Sequence, residues 1–219
     1  MESYYPAWIS RQEQLLGELL SINRDDIPAQ RALISRVLAH YHEYYAQKSR
    51  TDVLLLFSAP WLTPLERTFI WATGWRPSLA FRLLPRAITH PLTPAQSPAV
   101  DELRRLTVAR EKEVEDGLAK VQEAVASTAM LRLARGERRR TTSGGGGGGE
   151  GEGGSSSSGN AAQLLLAELD ALVSAADALR ADTVTSLVEI LSVEQTVDFL
   201  AAAASLHLQI RLKFFSSST

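Results

Sequence analysis

The sequence predicts an all-α protein, a helical bundle interrupted by a long disordered Gly/Ser-rich insertion. Two observations carry this. Four Ser/Thr/Asn-type caps, at Thr63, Thr93, Asn160 and Ser192, are each followed three residues later by Glu or Gln. Apolar residues then recur at three-to-four residue spacing, with no pair of segments alternating as strands do. The chain has 219 residues, 45% of them hydrophobic, which suits a single domain over 1–219. A formal net charge of −2 creates no strong field toward polyanions. The absence of cysteine excludes disulfides, zinc-thiolate sites and thiol nucleophiles. There is no signal-peptide pattern and no apolar run long enough to span a bilayer. The expected location is therefore the nucleus and cytoplasm.

Residues 2–21 read as an amphipathic helix with Trp8, Gln12, Leu15, Leu16 and Leu19 along one side. A polar turn from Asn23 to Pro28 leads into a helix carrying Leu33, Ile34, Val37, Leu38, Tyr41, Tyr44 and Tyr45. The run Asp52 to Phe57 lacks a partner strand and is expected to be helical or irregular. The packing centre is the stretch from Trp61 to Leu84, with three of the four tryptophans and two of the six phenylalanines. Thr63, Pro64 and Glu66 open a helix there by a capping box. Leu65, Phe69, Ile70 and Ala72 are expected to form its buried stripe. Gly74 is expected to end it in a left-handed conformation, before a short helix that runs through Leu84.

After the break at His90-Pro91-Leu92, Thr93 and Gln96 repeat the capping box and start a long helix over 94–138. Its narrow seam holds Val100, Leu103, Leu106, Val114, Leu118, Val121 and Val125, and Gly117 is the expected bend. The low-complexity run 141–159 is expected to be a flexible connector. Asn160 should cap a helix through Leu191, and Ser192 the last one, through Phe199, Ala203, Leu206 and Ile210.

The stretch Trp61-Leu-Thr-Pro-Leu-Glu-Arg-Thr-Phe-Ile-Trp-Ala-Thr-Gly-Trp-Arg-Pro-Ser resembles the core of the plant Delay-of-Germination (seed dormancy) domain, related to the C-terminal half of the TGA transcription factors. Trp8-Ile-Ser-Arg-Gln12, Tyr41-His-Glu-Tyr-Tyr-Ala-Gln-Lys48 and Leu206-His-Leu208 follow the same pattern in order, so the resemblance covers nearly the whole chain outside the glycine run. It implies a regulatory interaction protein of plant development or hormone signalling that binds a clade A type-2C protein phosphatase or a TGA-type transcription factor. A homodimer is a further expectation. The segment Glu2, Ser3, Tyr4, Tyr5 and Trp8 is similar to the acidic-Ser-Tyr-x-x-Trp segment through which the dormancy branch engages phosphatases, with Pro6 inserted. On packing alone, the same tyrosines and Trp8 would staple the first helix to the core.

The resemblance also raises haem as a cofactor. Two histidines one helical turn apart bind it in the dormancy branch, and His207 matches the first. The second position is Arg211, which stays protonated and cannot ligate iron, so a single axial ligand is the most that remains. A haem- or lipid-sensing module is the alternative function; the main reading needs no cofactor. His40 and His42, two apart on one helix, point about 200° from each other and cannot share a metal. Both are expected on the helix surface, and His90 in an exposed turn.

The run Arg132, Arg135, Arg138, Arg139 and Arg140 reads either as a basic import or nucleic-acid patch or as a solvated helix C-terminus. It has no interleaved aromatics and no basic-zipper helix, so no direct sequence-specific DNA binding is expected. No Gly-x-Ser-x-Gly, Gly-x-x-x-x-Gly-Lys or His-Glu-x-x-His motif occurs, and no enzyme is expected.

Overall fold

The computed structural model describes the backbone of residues 1–142 and 155–216 and the side chains of 1–127 and 160–213. The helices are α1 (Tyr5–Ser21), α2 (Ile27–Lys48), α3 (Val53–Ser58), α4 (Pro64–Thr68), α5 (Leu79–Ala87), α6 (Gln96–Thr142), α7 (Ser155–Ile190) and α8 (Val193–Ser216). There is no named strand among the described residues, and the architecture is the expected all-α bundle. The connector expected over 141–159 falls mainly on 143–154, outside the described residues. The backbone of α7 already begins at Ser155, so Asn160 lies inside the helix and is not its cap.

Local chemistry sets the helix starts. The Asp26 and Asp52 carboxylates accept backbone N–H groups at the heads of α2 and α3. Thr63–Glu66 closes a full capping box, and Thr93–Gln96 and Ser192–Gln195 close boxes of the same form. The last two interlock, because Gln96 Nε2 donates to Gln195 Oε1 at 2.9 Å.

α8 is the axis of the bundle, touching α1, α2, α4, α5 and α7. Its Val197, Phe199, Leu200 and Ala201 meet Leu15 and Leu19 of α1, Leu33 and Val37 of α2, Phe81 and Leu84 of α5, and Leu187 of α7 in one core. The seam of α6 packs on α7 through Val114 and Val121, whereas Leu106 and Val125 stay about half exposed, at 45% and 50%. α6 runs through Gly117 without interruption. That glycine serves close approach: a Cβ there would lie 2.5 Å from Leu172 Cδ2 of α7.

The aromatic centre departs most from expectation. α4 ends at Thr68 after little more than one turn, so Phe69 is 52% exposed instead of lining a stripe. The chain then reverses in a tight Trp71–Gly74 bridge. Ala72 (φ 43°) and Thr73 (φ 65°), not Gly74, take the left-handed conformation. For β-branched Thr73 this is a strained state, which persists only when the surroundings hold it. Arg180 of α7 holds it. Its guanidinium donates to the carbonyls of Trp75 (2.7 Å), Ala72 (3.0 Å) and Trp71, and lies 5.3 Å from the Trp71 ring centroid. Asp177 pairs with Arg180 and also accepts from Lys48 of α2 at 2.7 Å. Burial pulls the Lys48 ammonium down to about 8, with Asp177 opposing and Arg180 adding to the pull. On the α6 side Arg76 meets Glu111 (2.8 Å) and Glu115 (2.9 Å), and Trp71 Nε1 donates to Glu115.

Gly74 is needed for the guanidinium to reach the turn, since a Cβ there would sit 2.7 Å from Arg180 Cζ. The clamped guanidinium cannot move aside, so Gly74→Ala should cost about 1–3 kcal/mol. Gly17→Ala on α1, where a Cβ meets nothing within 4 Å, should instead stabilise by about 0.5–1 kcal/mol. Urea denaturation of both variants checks the contrast. Equal midpoints would show that Gly74 has no packing role.

Candidate functional site: the N-terminal aromatic cluster

The four sequence segments that carry the resemblance meet in space. Trp8 of α1 is 4% exposed, and its indole N–H donates to the His40 carbonyl of α2 at 3.1 Å. Its ring stacks on His40 with centroids 4.5 Å apart and planes 6° from parallel, and Tyr5, Tyr41, Tyr44 and His207 surround it. Gln12 donates to the Tyr41 hydroxyl at 2.7 Å. Leu208 of α8 packs into the same cluster.

Glu66 of α4 anchors the cluster electrostatically. It accepts from the Tyr5 hydroxyl (2.9 Å), the Thr63 backbone N–H (2.7 Å) and Arg211 Nη1 (3.0 Å), and His207 Nε2 lies 3.7 Å away. The single Tyr5 proton goes to Glu66. His207 Nε2, 3.1 Å from the phenol oxygen, is therefore the donor in that contact. Burial alone would raise the Glu66 pKa, but the nearby His207 ring and hydrogen bonds from Thr63 and Tyr5 outweigh it and hold the carboxyl down to about 2. Burial, the Glu66 charge and Tyr44 push the Tyr5 phenol far above its ordinary range. Arg211 also covers the Tyr5 ring at 5.1 Å.

Of the expected partner-binding residues, Tyr5 (1% exposed) and Trp8 belong to the core, Tyr4 is partly buried, and Glu2 and Ser3 are exposed. His40, expected on the surface, is buried. It shares the stripe of Leu33, Val37 and Tyr44, a spacing visible in the sequence once α2 is packed on two sides. Burial, with Arg11 and His207 nearby, lowers its pKa to about 4, and its Nε2 has no hydrogen-bond partner. His42 and His90 are exposed, as expected. The arginines from Arg132 to Arg140 lie on the far turns of α6, and their side chains are outside the described residues.

The His207 surroundings do not fit haem. Its Nε2 is engaged by Tyr5 and faces Glu66, an indole fills the adjacent space, and Arg211 closes the next turn against Glu66. Among the described residues no group of three His, Asp or Glu side chains is placed to hold a metal ion. No helix is long and apolar enough to cross a membrane, again among the described residues. A hollow of about 240 Å³ beside α2 and α7 has a mixed lining, with Lys48, Asp170 and Asp177 beside Tyr45, Leu56 and Val173.

Fold and cluster define a class: an all-helical bundle whose first helix is locked in by an aromatic knot over a buried carboxylate. Comparison with known proteins gives the particular family. The family described as "Seed dormancy control" (DOG1) matches residues 5–86. "Protein DOG1-like 4" of Arabidopsis thaliana is 34% identical over 216 residues, which cover 95% of this chain and 89% of that protein. "Protein RESPONSE TO ABA AND SALT 1" of the same plant is 27% identical over 95% of this chain and 92% of its own length. Rice "Transcription factor TGA2.3" is 30% identical over 57% of this chain and 39% of its own length. This chain belongs to the seed dormancy control (DOG1) family and is similar over part of its length to TGA transcription factors.

The buried imidazole makes stability pH-dependent. An unfolded-state His titrates near 6.5, and His40 in the fold near 4. The unfolded chain takes up the proton first, so the stabilisation is fully present above about pH 6.5 and is lost as pH falls toward 4. Between pH 7 and pH 5 the parent should lose on the order of 1–2 kcal/mol after allowing for solvent screening. His40→Phe, which keeps the stack, should flatten this loss in urea melts. Parallel pH profiles would rule out His40 as the source.

Proposed function

We propose that this protein is a non-enzymatic regulatory interaction protein of seed dormancy and abscisic acid responses. It works by holding a clade A type-2C phosphatase or a TGA-type transcription factor against its N-terminal edge. Similarity over 95% of the chain to "Protein DOG1-like 4" and to "Protein RESPONSE TO ABA AND SALT 1" carries this reading. Partial similarity to TGA factors supports the transcription-factor arm. It acts in the nucleus and cytoplasm, and sequence-specific DNA contact is left to the partner.

The geometry supports the N-terminal edge as the contact. Tyr5 and Trp8 root the segment in the core, while Glu2, Ser3 and part of Tyr4 face outward beside them. A short acidic, hydroxyl and aromatic edge on a fixed root loses little conformational freedom on binding. Tyrosine adds rigid contact area. Burial, with Glu43 nearby, raises the Tyr4 pKa, so the phenol stays a neutral donor.

Pull-downs with a clade A type-2C phosphatase and a TGA-type factor, paired with thermal melts, test the reading. Tyr4→Ala combined with Ser3→Ala should weaken capture at least about tenfold, since removal of a central aromatic contact costs 1–2 kcal/mol or more. The melt should stay within a degree or two of the parent's. Tyr5→Ala should lower both binding and melting temperature. Unchanged capture of both partners by the Ser3/Tyr4 variant would remove the N-terminal edge as the docking site.

A further inference from the structure

Three of the nine prolines follow a serine or threonine: Thr63-Pro64, Thr93-Pro94 and Ser97-Pro98. Proline-directed kinases read this dipeptide, because their pocket after the acceptor leaves a backbone N–H without a partner and proline has none to lose. The three motifs are equivalent as dipeptides, and the fold separates them. Thr63 is buried at 8% exposure. Ser97 is already inside α6, its N–H bonded to the Thr93 carbonyl at 3.0 Å. Thr93 is exposed in the non-helical connection between α5 and α6.

Thr93 has two further features. Pro94 biases it toward the extended conformation that a kinase cleft needs. Pro91 precedes it by two residues, so Pro91-Leu92-Thr93-Pro94 presents proline on both sides of the acceptor, the arrangement preferred by kinases of the mitogen-activated class. Ser97 has Ala95 at the corresponding place, and Thr63 has Trp61. Thr89, His90, Pro91, Thr93, Pro94 and Ala95 are all exposed, and only Leu92 is tucked against the core.

We propose that Thr93 is a phosphorylation site for a proline-directed serine/threonine kinase. The Thr93 Oγ attacks the γ-phosphorus of MgATP, and the bond from that phosphorus to the β,γ-bridging oxygen breaks. ADP leaves, and the hydroxyl proton passes to the kinase's catalytic carboxylate. The fold accommodates the product. Thr93 Oγ1 already accepts from the Gln96 N–H at 3.3 Å, in the first turn of the 47-residue α6, where a dianion is favoured by the helix dipole. The interlocked Gln96 and Gln195 side chains bring the N-terminus of α8 to the same place. His90 is 71% exposed three residues upstream, and Glu194, 3.7 Å from it, is the neighbouring opposing charge. Phosphorylation would thus load negative charge onto the junction where two helices begin, on a surface away from the N-terminal aromatic edge.

The test uses the full chain with a recombinant, activated mitogen-activated protein kinase and MgATP, read by intact mass and phosphopeptide mapping. A single phosphate on Thr93 is expected, with Thr93→Ala abolishing nearly all incorporation and Ser97→Ala leaving it unchanged. Thr63 should stay unmodified while the chain is folded, and the phosphorylated chain should melt no lower than the parent. No incorporation, labelling that persists in Thr93→Ala, or a phosphate carried first by Ser97 or Thr63 overturns the proposal.

Discussion

A single guanidinium, that of Arg180, ties the aromatic turn to α7, where the apolar contact is limited to Ala72 and Trp71 against Ala176, Val114 and Leu118. The Trp71–Gly74 reversal contains two left-handed non-glycine residues and has only one bridge of its own. Two of its carbonyls, and that of Trp75 just after it, find their donors on a side chain more than a hundred residues away in sequence. Only arginine has a planar fork of donors that can serve several acceptors while remaining charged. Burying that charge is expensive unless it is paired, and Asp177 pairs it while drawing in Lys48 from α2. One ion cluster therefore fixes the aromatic turn, α7 and α2 relative to one another.

A buried carboxylate plays the complementary part at the other end of the bundle. Glu66 begins as a local device, the third residue of a capping box, and its remaining acceptor capacity then collects Tyr5, His207 and Arg211. That arrangement decides which N-terminal residues can meet a partner: Tyr5 and Trp8 are consumed by the fold, while Glu2, Ser3 and part of Tyr4 remain. It also explains Arg211. Where a second histidine would be needed for a haem site, this chain has the cation that neutralises Glu66.

Much of the fold was legible because it is local. Thr63, Thr93 and Ser192 cap their helices through residues three positions away, and the stripes of α1 and α2 follow from spacing. The failures share a cause. Spacing alone carries a helix through Phe69 to a stop at Gly74, whereas Arg180 from α7 stabilises a reversal that no local pattern encodes. A glycine inside a helix suggests a bend, but the small size of Gly117 admits Leu172 of a different helix. The spacing of His40 from His42 says nothing of its burial, whereas its place on the stripe of Val37 and Tyr44 does. The candidate site was half legible. Its four segments were recognised one by one, but their convergence on Glu66 required the tertiary structure.

The central claim, that the Arg180 cluster fixes the aromatic turn, α7 and α2 relative to one another, is tested most directly by equilibrium urea denaturation of Arg180→Met. This variant keeps the apolar stem but leaves the turn carbonyls and Asp177 short of donors. The account predicts a loss of about 3–5 kcal/mol, the range for removing one member of a buried ion pair. A loss below about 1 kcal/mol, within the range of an exposed ion pair, would contradict it.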